Sequence, residues 1–218
     1  MMKIKKFPQS CLMITKGVTK LLIDPGNMKF EERFLEEWKT ATAILISHRH
    51  GDHCYTDKIK DLGIPIYTTA EVAANQLALK VERIIKEGDK LKFGKLEVEV
   101  VKAVHGFAPV MRESKGEIFE CVGFMFRDGK STMYFTSDTI AFNNNFEVDY
   151  IFAPACGNCV ALDGVGAALY AKMVKAKKLF VIHMDNTAHV FNIKEIKKVL
   201  KEKEVDFKIL ECGQQVKL

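Results

Sequence analysis

Thr42-Ala43-Ile44-Leu45-Ile46-Ser47-His48-Arg49-His50-Gly51-Asp52-His53 is the stretch on which the fold turns. Its first six residues form a nearly continuous apolar run, the pattern of a strand buried on both faces. Where that strand ends, four side chains of metal-ligand type follow within six positions, which places them on a strand-to-loop exit. His48 and His50 can point the same way from an extended segment, while Gly51 lets the backbone bend and carries Asp52 and His53 into the turn. Two groups of ligands result, one pair for each of two metal ions, with the remaining positions left to distant residues and water.

On either side, short β-rich runs alternate with helical patterns. Ser10 to Thr15 and Lys20 to Asp24 read as paired strands, closed by a turn at Asp24-Pro25-Gly26, where proline fixes φ and glycine tolerates the left-handed region. Asn27 to Lys39 reads as a short helix, Thr56 to Leu62 as another, Pro65 to Thr68 as a strand and Ala70 to about Leu79 as a helix. Leu91 to Phe93 turns at Gly94 into a long strand, Leu96 to Val104, that runs directly into His105. The second half repeats this logic. Val122 to Arg127 and Thr132 to Thr136 meet at Asp128-Gly129, a strong hairpin signal, and Asp138 lies just past the second of them. Tyr150 to Ala153, Leu179 to Ile182 and Phe207 to Leu210 read as strands, with helices over Asp163 to Lys175 and Ile193 to Glu202. Such a pattern predicts an α/β fold in which two sheets pack face to face with helices outside, as one domain spanning residues 1–218.

Composition agrees with a folded globular enzyme: hydrophobic residues make up 48% and charged residues 28%. The formal net charge is +5, from 33 Lys and Arg against 28 Asp and Glu, but the basic residues alternate with acidic ones along the chain. Only Lys172 to Lys178 hints at a basic stripe, and lysines near a helix end are ordinarily just solvated, so a nucleic-acid partner is disfavoured. Cys11, Cys54, Cys121, Cys156, Cys159 and Cys212 are irregularly spaced and are expected to be reduced thiols in a cytoplasmic protein. The apolar runs near the N-terminus are too short for a signal-peptide core, and none approaches the ~20 residues of a membrane span. A small-molecule substrate is the expected partner, and homo-oligomer formation leaves no mark in the sequence.

The metal reading rests on position. His48, His50, Asp52, His53, His105, Asp138 and His183 each lie at or just after the C-terminal end of an expected strand, where loops converge. Five of the six histidines occupy such exits, and imidazoles with carboxylates are the ligand set that zinc and similar borderline metals prefer. A lone histidine at a strand end is ordinarily a surface or hydrogen-bonded residue; that reading fails for all of them jointly.

At these residues the chain resembles the metallo-β-lactamase superfamily. His48-Arg49-His50-Gly51-Asp52-His53 matches its H-x-H-x-D-H signature. The surroundings match as well: Leu22-Ile23-Asp24-Pro25-Gly26 before it, His105 after a long strand, Tyr134-Phe135-Thr136-Ser137-Asp138-Thr139, and a final His183. The resemblance covers nearly the whole chain and implies a four-layer αββα sandwich with the site at its edge. It also implies two divalent ions, Zn first with Mn or Fe as alternatives, the first held by His48, His50 and His105 and the second by Asp52, His53 and His183, with Asp138 bridging. Ser137 stands where the superfamily usually has glycine, a departure that leaves the ligand in place. The compact length, the early Asp-Pro-Gly and the His105-Gly106 step look most like the L-ascorbate-6-phosphate lactonase-like group of small metal-dependent hydrolases.

The implied reaction is hydrolysis of an ester, lactone or phosphate-bearing small metabolite, with Asp52 and Asp138 as catalytic carboxylates and Asp52 moving the proton. An iron-dependent sulfur dioxygenase keeps the same histidines, whereas di-iron oxygen reductases usually carry Glu at the position of His50. Nucleases of the fold typically add a substrate-gripping arm, which the chain has no room to hold. Asp24 either orients a ligating imidazole or is simply a turn aspartate. His189 either reaches substrate or starts a helix in solvent. Cys156 and Cys159 form a C-x-x-C pair with neither a thioredoxin-like setting nor a second such pair, so free thiols near the pocket are expected.

Overall fold

The computed structural model describes residues 1–157, 160–186 and 191–218. Two seven-stranded sheets carry the architecture. The first contains β1 (Lys3–Lys6), β2 (Leu12–Lys16), β3 (Thr19–Ile23), β4 (Ala43–Ile46), β5 (Ile66–Thr68), β6 (Val81–Ile84) and the last strand, β14 (Gln215–Lys217), in the order β14-β1-β2-β3-β4-β5-β6. The second contains β7 (Lys90–Phe93), β8 (Leu96–Lys102), β9 (Val122–Arg127), β10 (Thr132–Phe135), β11 (Tyr150–Pro154), β12 (Lys178–Ile182) and β13 (Phe207–Ile209), in the order β13-β12-β11-β10-β9-β8-β7. Each sheet is antiparallel over one half and parallel over the other, the switch falling at β3 in the first and β10 in the second. In parallel strands the exits line up at one edge, and a crevice outside those carboxyl ends is where open α/β sheets place their sites.

Period-two alternation builds the layers. Leu21, Ile23, Ala43 and Leu45 face inward and meet Val98, Val100, Phe124, Phe126, Phe135, Phe152 and Phe180 of the opposite sheet. Between them, Leu22, Ile44 and Ile46 face outward under α1 (Glu32–Trp38), α2 (Thr56–Ile59) and α3 (Ala70–Asn75), whose Phe34, Trp38, Ile59 and Val72 cover them. On the other side Ile151, Ala153, Leu179 and Val181 pack against α5 (Gly164–Met173) and α6 (Ile193–Glu202). The expected αββα sandwich is therefore the fold observed, and β4 is buried at every position because both faces are covered.

Several boundaries differ from those expected. β1, β6 and β14 read Lys-Ile-Lys-Lys, Val-Glu-Arg-Ile and Gln-Val-Lys; strands at or beside a sheet edge bury one face at most, and charge there blocks further pairing. The turn that pairs β2 with β3 lies at Gly17-Val18, with Gly17 at φ 61°, whereas Asp24-Pro25-Gly26 leads out of β3. The helix expected from Ala70 to Leu79 ends at Asn75. Thr69 caps its start, its Oγ1 accepting from the amide of Val72 at 3.3 Å, but beyond Asn75 the chain turns to lay β6 beside β5. The stretch from Gly106 to Phe119, expected as loop, contains a short helix, α4 (Pro109–Glu113), none of whose side chains is buried. Among the described residues no helix is long and apolar enough to cross a membrane.

Leu45 is fully buried in the layer between the sheets, so Leu45→Ala is expected to cost about 2–5 kcal/mol of stability. Urea unfolding followed by the fluorescence of Trp38, which is the chain's single tryptophan and is itself buried, measures it; a loss under ~1 kcal/mol would mean the site collapses without a cavity.

Candidate metal centre

Three strand exits of the first sheet and three of the second meet at one edge. Asp24 follows β3, the run from Ser47 to His53 follows β4, and Gln9 lies on the chain between β1 and β2. From the second sheet, His105 follows β8, Asp138 follows β10 and His183 follows β12. His48, His50 and His105 bring one ring nitrogen each within 4.8 Å of one another, and so do the ligand atoms of Asp52, His53 and His183. Asp138 binds into the second group, its Oδ2 lying 3.4 Å from His53 Nε2 and 3.3 Å from His183 Nε2.

Each imidazole is held from behind. His53 Nδ1 donates to Asp24 Oδ2 at 2.8 Å, His50 Nε2 to the carbonyl of Gly116 at 2.8 Å, and His105 Nδ1 to the carbonyl of Gly106 at 2.8 Å. Because those oxygens only accept, the other ring nitrogen of each must be bare when the ring is neutral. His48 Nδ1 sits 3.0 Å from Ser47 Oγ, and His183 Nδ1 sits 3.5 Å from Cys156 Sγ. The remaining ring nitrogens of His53 and His183 face the two carboxylates, while those of His48 and His50 lie 3.2 Å from each other. Asp24 is buried and accepts also from the backbone N–H and hydroxyl of Ser47, at 2.7 and 2.6 Å; it orients a ring and is no solvent-facing turn residue. His50 is held by a segment that is itself tied down: Arg49 donates to the carbonyls of Lys115 and Glu117 and pairs with Glu71 at 2.9 Å. Glu71 in turn accepts from the backbone of Phe119 and Glu120.

Electrostatics divides the cluster in two. Burial, reinforced by the surrounding imidazoles, pushes His48 well below the usual histidine value, and burial takes His105 down to about 4 against the pull of Asp138. These rings are neutral at pH 7. Burial opposes charge on His53 too, but Asp138 and Asp52 hold it up at about 10, and His183 is likewise raised, with Asp138 the main cause against burial. In return Asp138, despite burial, is lowered to about 2 by His183 and His53, and Asp52 is held well below the carboxylate range. A divalent cation at Asp52, His53 and His183 would take the place of the protons that balance these carboxylates.

The donor set fits such ions. Among the described residues, five buried side-chain polar atoms have no hydrogen-bond partner, and three of them, His53 Nε2, His105 Nε2 and Asp138 Oδ1, point into this cluster. Buried polar atoms are otherwise almost always paired, so the orphans ask for a ligand. The backbone is also strained here: Gln9, Asp24, Ser137 and His183 adopt left-handed φ values of 56°, 45°, 58° and 60°, a cost that the surrounding structure must hold in place. Ser137 shows what replaces the usual glycine. Its hydroxyl donates to Ser47 Oγ at 2.6 Å, offsetting strain that a glycine would not have.

Of the residues expected at the site, His48, His50, Asp52, His53, His105, Asp138, His183 and Asp24 come together, and Cys156 touches His183 from behind. Cys159 and His189 lie outside the described residues. Gln9, Asp185 and the carbonyl of Gly116 are additional members for which local spacing carries no signal, since Gln9 and Gly116 reach Asp52 and His50 from distant segments and Asp185 holds Gln9; Ser47 lies beside His48 in the run itself.

Fold and site together define a four-layer sandwich with a histidine and aspartate cluster of metal-ligand type at its edge. Residues 3–202 match the family described as Beta-lactamase superfamily domain, and the chain belongs to that superfamily. It is 29% identical over 235 residues, all of both chains, to a protein of Bacillus cereus (strain Q1) named UPF0173 metal-dependent hydrolase. Among solved structures it resembles isothiocyanate hydrolase from Delia radicum gut bacteria, with TM-score 0.79 and 16% identity over 100% of this chain and 99% of that one. The diiron β-hydroxylase CmlA from Streptomyces venezuelae shares the fold with TM-score 0.75 and 13% identity, over 100% of this chain and 54% of that one.

Gly26 is where the β3 exit crosses the ligand loop: a Cβ there would lie 1.8 Å from the carbonyl oxygen of Asp52. Gly26→Ala is therefore expected to displace Asp52 and to lower the zinc retained after dialysis, read by elemental analysis; wild-type zinc content would show that this crossing does not place the ligand.

Proposed function

We propose that this protein is a metal-dependent hydrolase that uses two divalent cations, zinc first, to cleave an ester, lactone or phosphate-bearing small metabolite. The observation that carries the reading is the convergence of five imidazoles, each in contact at one nitrogen with a group behind it and turned at the other into one cluster with Asp52 and Asp138. Held there, such cations supply a water acidified toward neutral pH and a Lewis acid for the scissile carbonyl or phosphoryl group.

The chain's own residues do the rest. His48, His50 and His105 would hold the first cation as neutral donors, and Asp52, His53 and His183 would hold the second. Asp138, whose Oδ2 lies against His53 and His183 and whose Oδ1 has no partner, would be shared between the two cations. Asp52, itself a member of the second group, would be the carboxylate placed to accept a proton there. His48 and His53 are closed off from solvent while His50 and His105 are half-buried, so substrate enters on the side of the Gly106 to Phe119 segment and water is excluded on the other. The small-substrate assignment, in the manner of the L-ascorbate-6-phosphate lactonase-like group, rests on the sequence resemblance and on the ties from the Lys115 to Glu120 segment to Arg49 and Glu71.

Zinc-loaded protein is expected to retain two ions per chain and to hydrolyse a member of a panel of lactones, thioesters and phosphodiesters, with Asp138→Asn losing about 10²-fold or more in kcat. Oxygen uptake with a persulfide by iron-loaded protein, and no hydrolysis across the panel, would overturn the reading.

A further inference from the structure

The geometry points to Gln9 as a positioning residue of the second cation group: its side-chain amide, locked in place by Asp185, holds Oδ2 of Asp52 from behind. The inference rests on the two-cation reading above and adds a residue outside the histidine and aspartate set.

Gln9 is buried, 1% exposed, on the bend between β1 and β2. All four of its polar groups are committed. Its backbone N–H donates to Asp185 Oδ2 at 2.8 Å, and its carbonyl accepts from the N–H of His183 at 3.0 Å. Its side-chain Oε1 accepts from the backbone N–H of Asp185 at 2.9 Å. A backbone N–H can only donate, so the amide orientation is settled: the oxygen faces Asp185 and the NH2 faces the metal centre. There Nε2 donates to Asp52 Oδ2 at 3.1 Å and lies 3.4 Å from His183 Nε2. Asp52 Oδ2 is also the oxygen nearest the imidazoles, 3.2 Å from His183 Nε2. Gln9 thus occupies one lone pair of the oxygen that a cation would use and leaves the other directed at the centre.

The clamp has its own support. Asp185 Oδ2 pairs at 2.9 Å with Nζ of Lys6, a fully buried lysine that also donates to the carbonyl of Phe7. Lys6 ends β1 of the first sheet and Gln9 lies on the bend that follows it, Asp185 and His183 lie at the exit of β12 in the second, and Asp52 lies on the loop after β4. The two sheets are therefore joined through the residue that orients a ligand, and the left-handed φ of 56° at Gln9 is what brings its backbone and its side chain to Asp185 and Asp52 together. Residues that orient a ligand from behind typically cost 10- to 100-fold in metal affinity when lost.

Divalent cobalt alone, titrated into metal-free full-length protein and followed by visible absorption and calorimetry, tests this. Wild type is expected to bind two ions. Gln9→Met keeps the volume but has no donor; the second binding step is expected to weaken about tenfold or more, with the first step, on His48, His50 and His105, unchanged. Gln9→Asn keeps an amide and suits a left-handed backbone but stops a methylene short, and is expected to show the same selective loss. Equal second-step affinity in either variant would overturn the positioning role while leaving two ions per chain intact. Both steps weakening together would overturn it as well, because Gln9 would then be a structural residue only. A single cobalt ion in wild type would instead overturn the two-cation reading and the proposal with it.

Discussion

A short buried chain of hydrogen bonds joins the two sheets beneath the metal centre, and the rest of the site depends on it. Ser137, at the exit of β10, donates to Ser47 at the exit of β4. Ser47 donates through both its hydroxyl and its backbone N–H to Asp24 at the exit of β3, and Asp24 accepts a third bond from His53. A carboxylate buried without such partners would carry a desolvation cost of several kcal/mol. Each donor is therefore constrained to its place, and with it the two sheets, the β3 crossing and the first histidines. Asp24 and Ser137 both hold left-handed backbone to make these bonds.

Packing supplies the rigidity that this chain of bonds requires. The layer between the sheets is built of alternate residues from β3, β4, β9, β11 and β12, and the same strands offer their other residues to the outer helices. A strand covered on both faces cannot slip by one residue without exchanging its two faces. The exits of the parallel strands are thereby set in register, and seven ligand-type side chains from both sheets arrive at one edge.

The cluster is unequal in charge. Neutral rings at His48 and His105 stand beside a compensated set in which Asp52 and Asp138 face protonated His53 and His183. On the proposed two-cation reading, binding at the first group would displace little, while at the second it would release protons and inherit two carboxylates. Orientation matters more at the second group for the same reason, since a carboxylate can rotate about its χ angles where a tethered imidazole cannot. That is where Gln9 and the Lys6 and Asp185 pair are found.

His48 to His53 were legible because ligand identity there is a matter of local spacing after an apolar strand. His105, Asp138 and His183 were legible because each follows a run whose hydrophobicity marks it as a strand, and strand exits converge in any sandwich of this kind. The four layers followed from the same alternation. The charged strands β1, β6 and β14 were not, since edge positions need no apolar pattern. Gln9, Asp185 and the carbonyl of Gly116 were equally silent. An amide or a backbone oxygen acquires a role only from what lies opposite it, and that is decided by the packing of segments far apart in the chain, 176 positions apart for Gln9 and Asp185. The sequence by itself thus determined the candidate ligands and the layers that carry them; the tertiary structure decided which atom of each is held from behind and which is left facing the cluster, because hydrogen-bond partners are chosen by proximity in space.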